Sequence, residues 1–400
     1  MKAIEIKKDL FYVGVNDRTK HLFENLWPLP QGVSYNSYLL IDEKTVLFDT
    51  VEIGFSDVFF SKLESALSGK PLDYLVVNHM EPDHSGSLAL LKTKYPNIEI
   101  IGNARTAEML AGYYGITDNL KIITDGEELK TGKHTLQFHL IPMVHWPETM
   151  VTYDITDKTL FSGDAFGTFG ALDGGITDAQ LRPERYWDEM IRYYSNIVGK
   201  YGSPVQKAIA KLSGIEIATI CATHGPVWTE KENISKVVAL YDKLSKYETD
   251  PGVVIAYGSM YGHTEQMAET IASELAAQGI RDIVIHNVSV SPHSNIIRDV
   301  FKYNGLIVGC PTYNNQMYPE MEALLSKLAA RGIKNRYFGY FGSFTWAGAA
   351  VKNIAAFAET SGWEVVGIPA EMKQAMNQQS RDAAVALAQA MAEKIKSNKE

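Results

Sequence analysis

Four hundred residues give room for two to three domains with substantial cores. A composition of 46% hydrophobic and 21% charged residues excludes collagen-like, coiled-coil and disordered chains. A formal charge of −9 argues against nucleic acid as a partner, and two cysteines exclude both a disulfide framework and an iron–sulfur cluster held by four thiolates.

In chain order, residues 37–42 and 45–49 flank a polar turn at Glu43-Lys44 and predict a hairpin. Helical periodicity covers 56–68. The apolar run 74–77 predicts a buried strand that opens into Asn78-His-Met-Glu-Pro-Asp-His-Ser-Gly86. Strands are expected at 99–101, 136–141, 150–153, 159–161 and 217–222, and helices at 186–200 and 231–247. Glu248-Thr-Asp-Pro-Gly252 then marks a boundary, giving expected domains of 1–248 and 249–400.

From Val253 the rhythm becomes strands alternating with helices. Strands are predicted at 253–257, 282–287, 306–309, 337–341 and 364–368, and helices at 265–278, 296–303, 320–331, 350–361 and 380–396. Five strands in this pattern imply a doubly wound parallel sheet. No apolar run reaches the roughly 18 residues of a membrane helix, and the first residues lack the apolar core of a signal peptide. The expectation is a cytoplasmic protein without membrane contact.

His79, Glu81, Asp83 and His84 follow one predicted strand within six positions, and His145, Asp164 and His224 sit at the ends of three more. A metal site needs donors from separate segments converging on one rim, which loops leaving one end of a sheet supply. Four histidines and three carboxylates suffice for two sites with one shared ligand. Over residues 1–245 the pattern resembles the metallo-β-lactamase superfamily, an αββα sandwich whose hydrolases usually read His-x-His-x-Asp-His and often hold zinc. Here Glu81 takes the second histidine's place. A harder, charged oxygen donor there favours redox-cycling iron over zinc. His134, His139, His286 and His293 read as ordinary packing or surface residues.

After strand 253–257 comes Gly258-Ser-Met-Tyr-Gly-His-Thr264 and then a helix. Such a loop wraps a monophosphate with backbone N–H groups, the Ser259 and Thr264 hydroxyls and the positive helix end, with Met260, Tyr261, Gly262 and His263 between them. It matches neither a dinucleotide fingerprint nor a Walker loop. Two further loops carry aromatic rings and polar donors: Pro311, Thr312, Tyr313, Asn314 and Asn315 in one, Ser343, Phe344, Trp346 and Gly348 in the other. Both follow predicted strands, where open α/β sheets bind ligands, and Tyr313 and Trp346 are the candidates to flank an isoalloxazine ring. The three loops resemble flavodoxin, which binds FMN.

Together the two modules resemble the flavodiiron proteins over essentially the whole chain. The resemblance implies an oxidoreductase that reduces dioxygen to water, nitric oxide to nitrous oxide, or both, at a non-haem diiron site supplied with electrons by FMN. It implies that His79, Glu81 and His145 hold one iron, that Asp83, His84 and His224 hold the other, and that Asp164 bridges them. It also implies a head-to-tail homodimer, alone or paired into a dimer of dimers, in which each FMN faces the partner's irons. His21 and Tyr193 resemble residues that hydrogen-bond substrate above the irons. With no Cys-x-x-Cys pair in the sequence, the expected electron donor is a separate protein such as a rubredoxin. Two rival readings remain: a zinc hydrolase carrying a regulatory flavodoxin module, and a non-enzymatic oxygen or redox sensor.

Overall fold

The computed structural model describes residues 1–397, which divide into two compact units, one ending at Ser245 and the other beginning at Lys246. The expected junction at 248 falls between the helix Lys231–Ser245 and the strand Asp250–Tyr257.

The N-terminal unit holds two sheets. The first runs, edge to edge, Ile4–Lys7, Leu10–Tyr12, Tyr38–Ile41, Thr45–Phe48, Tyr74–Val76, Glu99–Gly102 and Leu120–Ile122. Its last four strands are mutually parallel, so their carboxyl ends share one edge. The hairpin pairs Tyr38 with Phe48 and Ile41 with Thr45, around the polar turn seen in the sequence. The second sheet is Glu128–Lys130, Thr135–Leu140, Met150–Asp154, Thr159–Gly163 and Thr219–Ala222, the final pair parallel. Phe48 and Phe161 join the two sheets, their rings stacked at 3.6 Å, and the Tyr38 hydroxyl donates across to the Ala222 carbonyl at 2.5 Å. Outside, helix Ser56–Leu67 buries Phe59, Leu63 and Leu67, an i, i+4, i+8 stripe. Each such side chain stabilises the fold by roughly 1.5–3 kcal/mol.

The C-terminal unit is a parallel sheet ordered Ile283–Asn287, Asp250–Tyr257, Tyr303–Pro311, Tyr337–Phe344, then a fifth strand in two pieces. Helices His263–Ala277 and Gln378–Ser397 pack over a core of Ile255, Ile271, Leu275, Phe341, Leu387 and Met391. The expected strand 364–368 is corrected. Glu364–Val365 pairs with the first half of Tyr337–Phe344 and Ala370–Lys373 with the second, while Ile368 between them is 83% exposed. Gly367, at φ +74°, is where the chain leaves the sheet.

The expected helix 186–200 is also corrected. Helix Glu184–Tyr193 passes into a π-helical stretch, Tyr194–Val198, and a 3₁₀ turn, Gly199–Tyr201. The wider turn shifts the helical phase, so the consecutive Tyr193 and Tyr194 are both buried. Helices Ala104–Tyr114 and Gly202–Leu212 and the first two strands went unpredicted, their apolar periodicity being short or interrupted. No helix among the described residues is long and apolar enough to cross a membrane.

Candidate metal centre and flavin site

The loops after Tyr74–Val76, Thr159–Gly163 and Thr219–Ala222, with the segment before Met150–Asp154, bring all seven predicted donors together, each at most 9% exposed. They fall into two groups: His79, Glu81, His145 and Asp164, then Asp83, His84 and His224. Asp164 divides its carboxylate between them. Its Oδ2 lies 3.5 Å from His79 Nε2 and 3.1 Å from His145 Nε2, while its Oδ1 lies 2.8 Å from His84 Nε2 and 3.6 Å from His224 Nε2. Glu81 Oε2 completes the first group, 3.3 Å from His79 and 3.1 Å from His145. The two oxygens of Asp83 each face one imidazole of the second group, His84 and His224, both at 3.3 Å.

These spacings suit metal ions. Donors bound about 2.1 Å from one ion at right angles stand about 3.0 Å apart. Both Asp83 oxygens and the Nε2 atoms of His84 and His224 are buried without a hydrogen-bond partner; the 2.8 Å approach of His84 to Asp164 lies outside hydrogen-bond geometry. Buried polar atoms are left in that state at a cost that a bound cation removes.

The charges are strongly coupled. Burial opposes ionisation throughout, but His84 and His79 hold the Asp164 carboxyl well below the usual range. Conversely Asp83 and Asp164 raise His84 to about 9, and Asp164 and Glu81 raise His145 to about 9, against their own burial. In the metal-free protein protons therefore occupy imidazoles that a metal needs neutral, and metal binding must release them.

A surrounding layer fixes the rings. His79 Nδ1 lies 2.8 Å from Glu148 Oε1, which also accepts from Met80 N at 2.9 Å, leaving His79 Nε2 for the cluster. Asn103 donates to the Glu148 carbonyl at 2.5 Å. His224 Nδ1 donates to the Ser34 carbonyl at 2.7 Å, which sets the tautomer, and Thr223 donates to Asp164 Oδ1 at 2.6 Å. Gly225, at φ +77°, completes that turn, and a Cβ there would stand 2.2 Å from Thr168 Oγ1. Asp49 accepts from the Asn78 backbone at 2.7 Å and side chain at 3.0 Å, anchoring the loop that begins the cluster.

Sequence reasoning missed Glu148, Asp49, Ser34 and Thr223. Glu148 carried a readable signal, standing three residues after His145. The Tyr193 ring is 5.4 Å from that of His224, and its buried hydroxyl has no hydrogen-bond partner. Tyr194 instead packs on Tyr241 at 4.9 Å. His21 is exposed, and its side chain makes no hydrogen bond, ion pair or ring contact among the described residues. The same hairpin instead delivers Phe23, whose ring is 5.4 Å from His224, and Glu24. Part of Glu24 reaches solvent, but burial and then the Glu81 charge push its carboxyl up to about 7, and Trp27 Nε1 donates to it at 3.1 Å. A third grouping, His134 with Asp154 and Asp157, is accounted for by internal bonds: His134 Nδ1 to Asp154 at 2.7 Å and Lys7 to Asp157 at 3.5 Å.

In the C-terminal unit the three predicted loops line one cavity of about 490 Å³. Ser259, Met260, Tyr261, His263 and Thr264 form one side, Pro311, Thr312, Tyr313, Asn314 and Asn315 another, and Ser343, Phe344 and Trp346 the third, joined by Thr345, Ala347 and Gln374. Of the predicted residues, Gly262 and Gly348 are outside this lining. Gly262 begins helix His263–Ala277 at φ +87°, a conformation that suits glycine, and its N–H donates to Ser259 Oγ at 3.1 Å. Thr264 and Ser343 hydroxyls meet at 2.8 Å. Tyr261 and Trp346 are 88% and 85% exposed, with Met260 and Tyr313 also exposed. Aromatic surface clustered around one polar-ended cleft at a helix N-terminus fits a planar ring system carrying a phosphate.

Comparison with known proteins agrees with both sites. Residues 33–225 match the ODP family beta lactamase and residues 255–397 match flavodoxin. The anaerobic nitric oxide reductase flavorubredoxin of Vibrio vulnificus is 32% identical over 373 residues, covering 90% of this chain and 74% of that protein. An uncharacterized protein of Methanocaldococcus jannaschii is 34% identical, covering 92% of each chain. Among solved structures, the rubredoxin oxygen:oxidoreductase of Desulfovibrio gigas has a TM-score of 0.95 at 29% identity over 99% of both chains. The flavodiiron protein of Giardia intestinalis has a TM-score of 0.92 at 26% identity, over 100% of this chain and 98% of that one.

Fold and site thus define an oxidoreductase with a beta-lactamase-like metal domain and a flavodoxin domain. The chain belongs to the flavodiiron protein family, with FMN and a non-haem diiron centre as cofactors.

Proposed function

We propose that this protein reduces dioxygen to water, nitric oxide to nitrous oxide, or both, taking electrons through FMN from a separate donor such as a rubredoxin. The observation that carries this reading is the division of Asp164, whose two oxygens each face a different donor group. A carboxylate shared by two donor groups would hold a pair of irons, which would supply electrons jointly to a diatomic substrate. Two irons and a reduced flavin supply up to four electrons, enough for dioxygen, while two nitric oxide molecules need two.

In this assignment His79, Glu81 and His145 hold one iron, Asp83, His84 and His224 the other, and Asp164 both. Three carboxylates offset most of the added charge. Glu148 and the Ser34 carbonyl keep His79 and His224 turned toward the metals. The Glu24 carboxyl stands beside the cluster as a group able to donate a proton, which both reactions consume, and the Tyr193 hydroxyl, which burial keeps protonated, can donate a hydrogen bond there. Ser259 and Thr264 hold the flavin phosphate, and Trp346 and Tyr313 cover its ring. The protein acts in the cytoplasm as a head-to-tail homodimer, the arrangement the family resemblance implies.

The deciding experiment is an electrode assay of dioxygen and nitric oxide removal by the photoreduced or rubredoxin-fed protein, with metal analysis of the same sample. Many turnovers per site with two irons per chain support the reading. Two zinc ions with esterase or lactamase turnover would establish the hydrolase instead, and a single stoichiometric oxidation would establish a sensor.

A further inference from the structure

The N-terminal unit has a second cavity, of about 480 Å³, that opens to the surface. Its outer walls are helices Gly202–Leu212 and Lys231–Ser245, which contribute Val205, Ala208, Leu212, Ile234 and Val238. Its inner wall is Val144, Val151, Ala165 and Phe166. Two of these inner residues adjoin metal-binding candidates in the chain: Val144 precedes His145 and Ala165 follows Asp164. Phe166 sits at φ +68°, a strained conformation for a bulky residue, and its ring packs on Tyr241 at 4.8 Å.

The lining is predominantly hydrocarbon. Its polar side chains are Ser213 and Ser235, which are exposed at the mouth, half-buried Asp242, and Tyr241, whose side chain is buried. A water molecule needs two to four polar partners, and Val144, Val151, Ala165 and Phe166 on the inner wall carry no polar side-chain atom. An apolar cavity of about 150 Å³ already binds xenon, so a larger one of this character takes small neutral gases at little desolvation cost.

We propose that this cavity binds small apolar gas molecules and feeds them to the metal pocket from the side of His145 and Asp164. The supply role rests on the reductase reading; the binding role does not. Dioxygen and nitric oxide are small, uncharged and more soluble in hydrocarbon than in water. A cavity open between two helices concentrates them against Val144 and Ala165, the chain neighbours of two of the seven donors.

Xenon is the probe. Crystals of the iron- and flavin-loaded protein under xenon pressure are expected to show xenon density against Val151, Val205 and Phe166. Ala208→Phe fills the chamber, and Ala239→Phe narrows the exposed mouth at a position where a larger side chain is tolerated by the fold. Both are expected to reduce xenon occupancy and to raise KM for the gas at least about threefold, with kcat at saturating gas, iron content and flavin content unchanged. Absence of xenon from the native cavity would overturn the proposal. Xenon loss in both variants with an unchanged KM would overturn the supply role. A native protein that binds xenon yet consumes neither gas would remove the reductase reading while supporting the cavity as a gas site.

Discussion

In the N-terminal unit seven donor side chains converge with none more than 9% exposed, whereas in the C-terminal unit Tyr261 and Trp346 stand 88% and 85% exposed around the flavin cavity. The metal donors are held by their surroundings: Glu148, Ser34 and Thr223 fix His79, His224 and Asp164, and opposite charges lie side by side. The flavin cleft holds polar groups at one end and leaves aromatic surface for the cofactor itself to cover. A buried charged site loses its ligand almost completely when one shared donor is removed, because the remaining charges repel and stay desolvated. An open stacked site weakens by degrees.

Removing the shared donor should break the comparison most sharply. Asp164→Ala is expected to lose both irons and at least about 100-fold of gas-reducing activity while retaining its full flavin complement, as read by metal analysis beside the flavin absorbance. Two irons with unchanged turnover in that variant would refute the shared-carboxylate assignment.

Glu148→Gln keeps the size of the side chain but removes the charge that orients His79. Iron affinity should fall by about 10- to 100-fold, measured by competition with a chelator. In the other unit, Trp346→Ala should weaken FMN binding by about tenfold, followed by the recovery of free-flavin fluorescence on dilution, with iron content intact. Equal loss of iron and flavin in either variant would show that the two sites are not separately built.

The smallest effect concerns the metal-free protein. His84 and His145 are raised to about 9 in the fold from a starting value of 6.5. Their stabilising contribution is complete below pH 6.5 and is lost as pH rises through 9. Thermal unfolding of the iron-stripped protein should therefore move down by about 2–4 °C per kcal/mol lost across that window, while its uptake of iron strengthens because fewer protons must leave. A flat melting temperature over the same range would mean that the imidazoles are not charged in the empty site.

Much of this site was legible before any coordinates. His79, Glu81, Asp83 and His84 crowd one loop after one apolar run, and histidines and carboxylates at strand ends rarely gather so densely without a ligand. The phosphate loop was legible for a similar reason, since Gly262 and the flanking hydroxyls must be local to close around one small group. His21 shows where such reading fails. It was placed beside the metals by resemblance, yet the tight hairpin Leu22–Phe23 and Trp27–Pro28 turns Phe23 and Glu24 toward the cluster and leaves His21 in solvent. His21 precedes the two-residue strand and Glu24 lies in the turn after it, at φ +49°, so strand alternation fixes the direction of neither and the packed turn decides both.

Periodicity and local loop chemistry, being short-range properties, reveal the two modules, most of their strands and helices, and the residue types suited to iron and flavin. Only the tertiary structure decided that Asp164 divides its oxygens between two groups, that Glu148 and Ser34 orient the imidazoles, and that a π-helical turn buries both Tyr193 and Tyr194. It also decided that an apolar cavity is lined by Val144 and Ala165, the chain neighbours of His145 and Asp164. Each of these joins segments dozens to nearly two hundred residues apart or depends on helical phase, and the meeting of distant surfaces is set by packing that no local pattern encodes.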